Sequence, residues 1–152
     1  MVRFGIAICA VMAALAFAEG FTFTIGPAVA AGDFQVKGAS FVFRTEGCAD
    51  PIKAQLNASA EGLVKGSRQS VALKVMPTSK PGVYAIYRGW PADGAWVVNL
   101  KGECAHAGAG AGAIVPMGPK GFIRESAKFY PRPATDAEIE TSLKALAQGG
   151  SK

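Results

Sequence analysis

Between residues 41 and 101 apolar side chains fall on every second position in run after run, and this period constrains the fold more than any other feature of the chain. Ile52, Ala54, Leu56, Ala58 and Ala60 alternate with Lys53, Gln55, Asn57 and Ser59; Val71, Leu73 and Val75 alternate with Ser70, Ala72 and Lys74. Trp96, Val98 and Leu100 alternate with Val97, Asn99 and Lys101, and Phe41 and Phe43 with Val42 and Arg44. A period of two sends one set to each face of a strand, so each run predicts a strand with one dry and one wet face. Turn-forming residues separate the runs at Glu61-Gly62, Lys65-Gly66-Ser67, Lys80-Pro81-Gly82 and Pro91-Ala92-Asp93-Gly94. The last of these is expected to join a strand over 83–89 to one over 95–101. Phe34 and Val36 are apolar at even positions, Phe41 and Phe43 at odd ones, which places a bulge or turn at Gly38. Short strands and frequent turns predict a mainly β chain folded as an antiparallel β-sandwich.

One helix is expected, at the C-terminus over 134–148. Thr135 and Glu138 have capping-box spacing, Ile139, Leu143 and Leu146 share one face, and Gly149 follows. Glu140 and Lys144 form an i,i+4 pair away from Leu143. A short amphipathic helix is marginal alone, so its apolar stripe is expected to dock on the sandwich.

The N-terminus reads as an export signal. Arg3 precedes an apolar run from Phe4 to Ala18, about 15 residues and short of the ~20 that a membrane-spanning helix needs. Small residues at −3 and −1 occur twice, as Ala28 with Ala30 (or Val29 with Ala31) and as Ala16 with Ala18. The later site is the one expected here, giving a signal peptide over 1–31 and a sandwich domain over 32–133. Cys9 lies in the apolar run with no lipobox before it. The mature protein is therefore expected in the periplasm or outside a bacterial cell, with no membrane span after cleavage. Roughly 120 residues remain, enough for one domain. Cys48 and Cys104 are then an even pair in an oxidising compartment and are expected to form a structural disulfide.

Sixteen Lys and Arg against 11 Asp and Glu give a net charge of +5, but the basic residues are scattered from Lys37 to Lys152. A nucleic-acid footprint would gather them on one face, so no nucleic-acid partner is expected. Gly108, Gly110 and Ala113 satisfy G-x-G-x-x-A, yet Pro116 and Pro119 follow too soon for a helix and no βαβ unit surrounds them, so the run from His106 to Ala113 is expected to be a loop. His106 is the one histidine, and its glycine-alanine setting does not support a catalytic triad. Asp50, Glu61, Asp93 and Glu103 each sit beside a turn residue and read as solvated charges. Neither an enzyme nor a cofactor is expected. Met76, Met117, His106 and a reduced Cys104 are the soft ligands that a copper site uses. They form no His-x-Met or Met-x-Met cluster; no metal residue is assigned, and a periplasmic copper-handling protein is the second functional reading.

Pro81-Gly82-Val83-Tyr84 followed by Gly94-Ala95-Trp96-Val97-Val98-Asn99-Leu100 resembles the paired strands of small bacterial immunoglobulin-like modules of the FixH and YtkA-like kind. Its Pro-Gly-x-Tyr part resembles carboxypeptidase regulatory-like, transthyretin-type domains. The resemblance implies an immunoglobulin-like or transthyretin-like sandwich acting as a non-catalytic accessory or binding module of the cell envelope, in some cases near copper or cytochrome oxidase systems. The cleavable signal, the cysteine pair and the C-terminal helix depart from that pattern. The expected function is that of an exported binding or accessory protein with an envelope protein or polymer as partner. Loops at a sandwich end are its adaptable part, which makes Trp90, Asp93, His106, Met117, Lys120 and Phe122 the candidate binding residues. Trp90 is expected to keep one face of its indole wet at the mouth of a turn, and Trp96 to sit in the core.

Overall fold

The computed structural model describes residues 20–28, 36–48, 53–104 and 110–149. Two antiparallel sheets pack as a sandwich with one C-terminal helix. The four-stranded sheet has the order β1 (Thr22–Gly26), β2 (Phe41–Glu46), β6 (Val83–Ile86), β5 (Met76–Pro77). The six-stranded sheet runs β10 (Lys128–Tyr130), β8 (Gly110–Gly118), β7 (Ala95–Glu103), β3 (Gln55–Val64), β4 (Ser67–Leu73), and β9 (Gly121–Phe122) also pairs with β8.

The alternation places the core where expected. Phe41, Phe43, Ala60, Trp96, Val98 and Leu100 all point into the space between the sheets. Gly38 takes a φ of +81° in the turn after Val36, which accounts for the change of phase. Lys65 and Gly66, at φ +50° and +80°, form the two-residue turn joining β3 to β4.

Four expectations about the course of the chain change. Glu61-Gly62 is no turn: β3 continues through it to Val64. Gly62 lies opposite Trp96, where a Cβ would come within 2.6 Å of three atoms of the indole, so glycine is there to let the ring lie against the strand. Glu61 is buried, accepting hydrogen bonds from Ser59 Oγ at 2.7 Å, Ser70 Oγ at 2.9 Å and Arg68 at 3.3 Å, and is not a solvated charge. Residues 83–89 and 95–101 do not form a hairpin. β6 pairs with β2 and β5 while β7 pairs with β3 and β8, so the chain between them crosses from one sheet to the other.

The glycine-alanine run is the third change. Its described part, from Gly110, belongs to β8 inside the larger sheet. A Cβ on Gly112 would lie 2.4 Å from the carbonyl oxygen of Arg132, because residues 132–134 pass directly over the strand on their way to the helix. Glycine at 110 and 112 admits the crossing backbone. Pro116 is tolerated within β8 because its carbonyl accepts from Ile123 N at 2.8 Å on the side away from β7, and the N–H it lacks belongs to that same side.

Fourth, β1 lies within the stretch assigned to the signal peptide. Phe21, Phe23 and Ile25 are 3%, 4% and 7% exposed and belong to the central core. The sandwich therefore begins before residue 32.

Helix α1 (Asp136–Gly149) packs on the outer face of β7, β3 and β8. Ile139 and Leu143 close a second core over Val97 and Ile114, so β7 and β8 are buried on both faces, and Val97 and Asn99 are not on a wet face. The capping box forms in both directions: Glu138 N donates to Thr135 Oγ1 at 3.2 Å, and Thr135 N donates to Glu138 Oε2 at 2.8 Å. Arg132 grips the same carboxylate through both terminal nitrogens, at 2.9 and 2.7 Å. Those bonds from Arg132, then the one from the Thr135 N–H, hold the Glu138 carboxyl down at about 2 from its usual 4.5. The folded state thus favours the ionised form, and the stabilisation is full above pH 4.5 and lost as pH falls towards 2. Thermal melts should show Glu138→Gln less stable than wild type at pH 7, with the difference closing between pH 4.5 and 2. A difference unchanged at pH 2 would mean that the carboxylate does not hold the helix start.

The disulfide is present between Cys48 and Cys104, with Cα atoms 5.8 Å apart. Cys48 lies just past β2 and Cys104 just past β7, so the bond ties one sheet to the other.

Candidate functional site

A cleft of about 1120 Å³ opens at the end of the sandwich where the loop of residues 90–95, the β8–β9 hairpin and the last turns of α1 converge. Its walls are built by close approach. Gly94, at φ +89°, would place a Cβ 2.7 Å from the carbonyl oxygen of Leu63, so the loop can seat itself against the end of β3 only with glycine there. Trp96 Nε1 donates to the carbonyl of Asp93 at 2.7 Å, and Arg88 Nε to that of Trp90 at 3.2 Å, which fixes the loop at both ends. A cleft with fixed walls binds without first spending free energy on ordering its loops.

The lining is apolar with cationic additions. Trp90, Trp96, Pro116, Met117, Ile123 and Leu146 supply carbon surface, and Lys65, Arg88 and Lys128 supply charge. Among the described residues no Asp or Glu lines it. Ser142 also lines it; the residue is buried and its Oγ has no hydrogen-bond partner among the described residues. An unpaired buried hydroxyl costs ~1–3 kcal/mol unless something enters to pair with it.

The candidate residues read from the sequence divide. Trp90 and Met117 line the cleft. Trp90 is only 8% exposed and belongs to the central core, so its indole is an inner wall rather than a wet flap. Asp93 and Lys120 are exposed at the rim, between neighbours that line it: Ala92 and Gly94, and Pro119 and Gly121. Phe122 packs instead on the core, its ring 5.9 Å from that of Phe41 and beneath the Arg124 guanidinium at 5.6 Å. His106 lies outside the described residues. Lys65, Arg88, Lys128 and Ser142 were not legible as site residues. They come from a turn, a crossover, an edge strand and a helix, and the fold alone brings them together.

Cys104 is held in the disulfide and offers no thiolate to a metal. Met76 is exposed on β5 in the smaller sheet, whereas Met117 is on β8 in the larger. Among the described residues no three His, Cys, Asp or Glu side chains are grouped to hold a metal ion, and no helix is long and apolar enough to cross a membrane.

The chain matches no family model, no curated protein and no solved structure.

Proposed function

We propose that this is an exported, non-catalytic binding or accessory protein of the bacterial cell envelope, and that its ligand is an amphipathic anion seated in the end cleft. The observation that carries the reading is the lining itself: two tryptophans and aliphatic carbon with Lys65, Arg88 and Lys128, and no Asp or Glu among the described residues that line it. An apolar body would lie along Met117, Ile123 and Leu146 against the edges of the buried indoles, and a carboxylate or phosphate head would meet the cations. The volume, about 1120 Å³, lies just above the ~300–1,000 Å³ usual for small-molecule sites, which suits an extended chain better than a compact metabolite. Binding rather than turnover is what the cleft supports, since the hydroxyls of Ser40, Ser126 and Ser142 have no imidazole, carboxylate or thiol among the described lining residues to take a proton. The disulfide agrees with an oxidising compartment, and the sandwich agrees with the envelope modules that residues 81–100 resemble.

Dodecanoate and dodecyl phosphate test this directly, because Trp90 and Trp96 are the protein's two tryptophans and both line the cleft. Each probe should change the intrinsic fluorescence saturably, and dodecanol should bind at least about tenfold more weakly, a difference of ~1.4 kcal/mol that one charge-assisted hydrogen bond can supply. Lys65→Glu with Lys128→Glu should weaken the anions by about the same factor and leave dodecanol unaffected, since Arg88 still holds the loop. Equal affinity for charged and uncharged chains, or indifference to charge reversal, would refute the anion site.

A further inference from the structure

We propose that the exported protein is cut between Ala18 and Glu19, and not after Ala30 or Ala31. The inference rests on the reading that the chain is exported, and it concerns where the leader ends. The sequence offers both small-residue sites. The fold accommodates one of them.

Between the two sites, residues 21–26 are built into the domain. β1 pairs with β2 along its whole length, from Thr22 with Glu46 to Gly26 with Val42. Phe21 packs edge-on against Phe23, and Phe23 against Phe43, each with ring centroids 5.5 Å apart. Both rings reach across the sandwich to β7. A Cβ on Gly102 would lie 2.7 Å from Phe23 and 2.8 Å from Phe21, so the opposite sheet has a glycine where these two phenylalanines arrive. A cut after residue 30 or 31 would carry both rings and Ile25 away with the leader. It would leave an empty space over Gly102 and turn β2 from an inner strand into a bare edge. A chain that keeps these contacts must be released upstream of Phe21. Ala16 and Ala18 provide the small −3 and −1 residues there, directly after the apolar run and before Glu19-Gly20.

Chemically the step is hydrolysis by the leader peptidase of the export machinery. Water adds across the Ala18–Glu19 peptide bond, leaving the carboxylate of Ala18 on the leader and a new α-amino group on Glu19. No redox partner takes part.

The test expresses the full chain in a Gram-negative host and sequences the N-terminus of the folded protein recovered from the periplasm. The expected first residues are Glu19-Gly20-Phe21. Ala18→Leu should make the precursor accumulate, while Ala30→Leu should leave processing unchanged. A folded periplasmic protein beginning at Ala31 or Gly32 would overturn the cleavage site while leaving export intact. A full-length chain retained in the cytoplasm would overturn export, and the cleavage proposal with it.

Discussion

Trp90→Ala and Trp96→Ala should each destabilise the domain by roughly 3–5 kcal/mol, the cost of removing a large aromatic from a packed core. Trp96 is 2% exposed, lies against the bare backbone of Gly62 and donates its indole N–H to the Asp93 carbonyl. Trp90 is 8% exposed and belongs to the same core cluster. The sequence, read as a hairpin, separates the two and predicts a small loss at Trp90. The crossover between sheets puts residues 87–94 over the end of the sandwich and buries that indole instead. Thermal melts should therefore fall by at least about 10 °C for both variants. A fall of only a degree or two for Trp90→Ala would show that its ring is not part of the core and would remove one wall from the cleft.

The second large effect belongs to the disulfide. Cys48 and Cys104 are 56 residues apart in sequence, and in the chain-entropy model closing a loop of that size stabilises the fold by about 4 kcal/mol. Because the bond joins the ends of β2 and β7, its loss also frees the two sheets to separate at that end. Cys48→Ser/Cys104→Ser should melt at least about 10 °C below wild type. Wild type in strong reductant should fall to match it. Two free thiols in untreated protein, or a melt indifferent to reductant, would contradict the bond's role.

What the sequence made legible follows from which faces are wet. β2 alternates cleanly because one side faces the core and the other faces outward, and Phe41 and Phe43 are where the pattern puts them. The capping box at Thr135 and Glu138 and the Glu140–Lys144 pair, at 2.8 Å, are local and were readable for that reason. β8 was not legible. It is covered by the opposite sheet on one face and by α1 and residues 132–134 on the other, so its residues are chosen for size, and Gly110 to Ala113 then look like a loop. Gly62 resembled a turn for a related reason, since its missing side chain makes room for Trp96, which the sequence places 34 positions later. The cleft was legible only in part. Trp90 and Met117 stand out as an aromatic and a thioether beside turn residues, but Arg88, Lys128 and Ser142 carry no motif and meet only after the crossover and the helix have folded into place.

A ¹H–¹⁵N correlation spectrum recorded during titration with dodecyl phosphate tests the proposed anion site in the end cleft most directly. The two indole N–H signals, from Trp90 and Trp96, should both shift, together with amides of residues 90–95, 117–121 and 142–149, while β1, β2 and β5 stay still. Shifts confined to those distant strands, or spread weakly over every exposed lysine with both indoles unmoved, would contradict it.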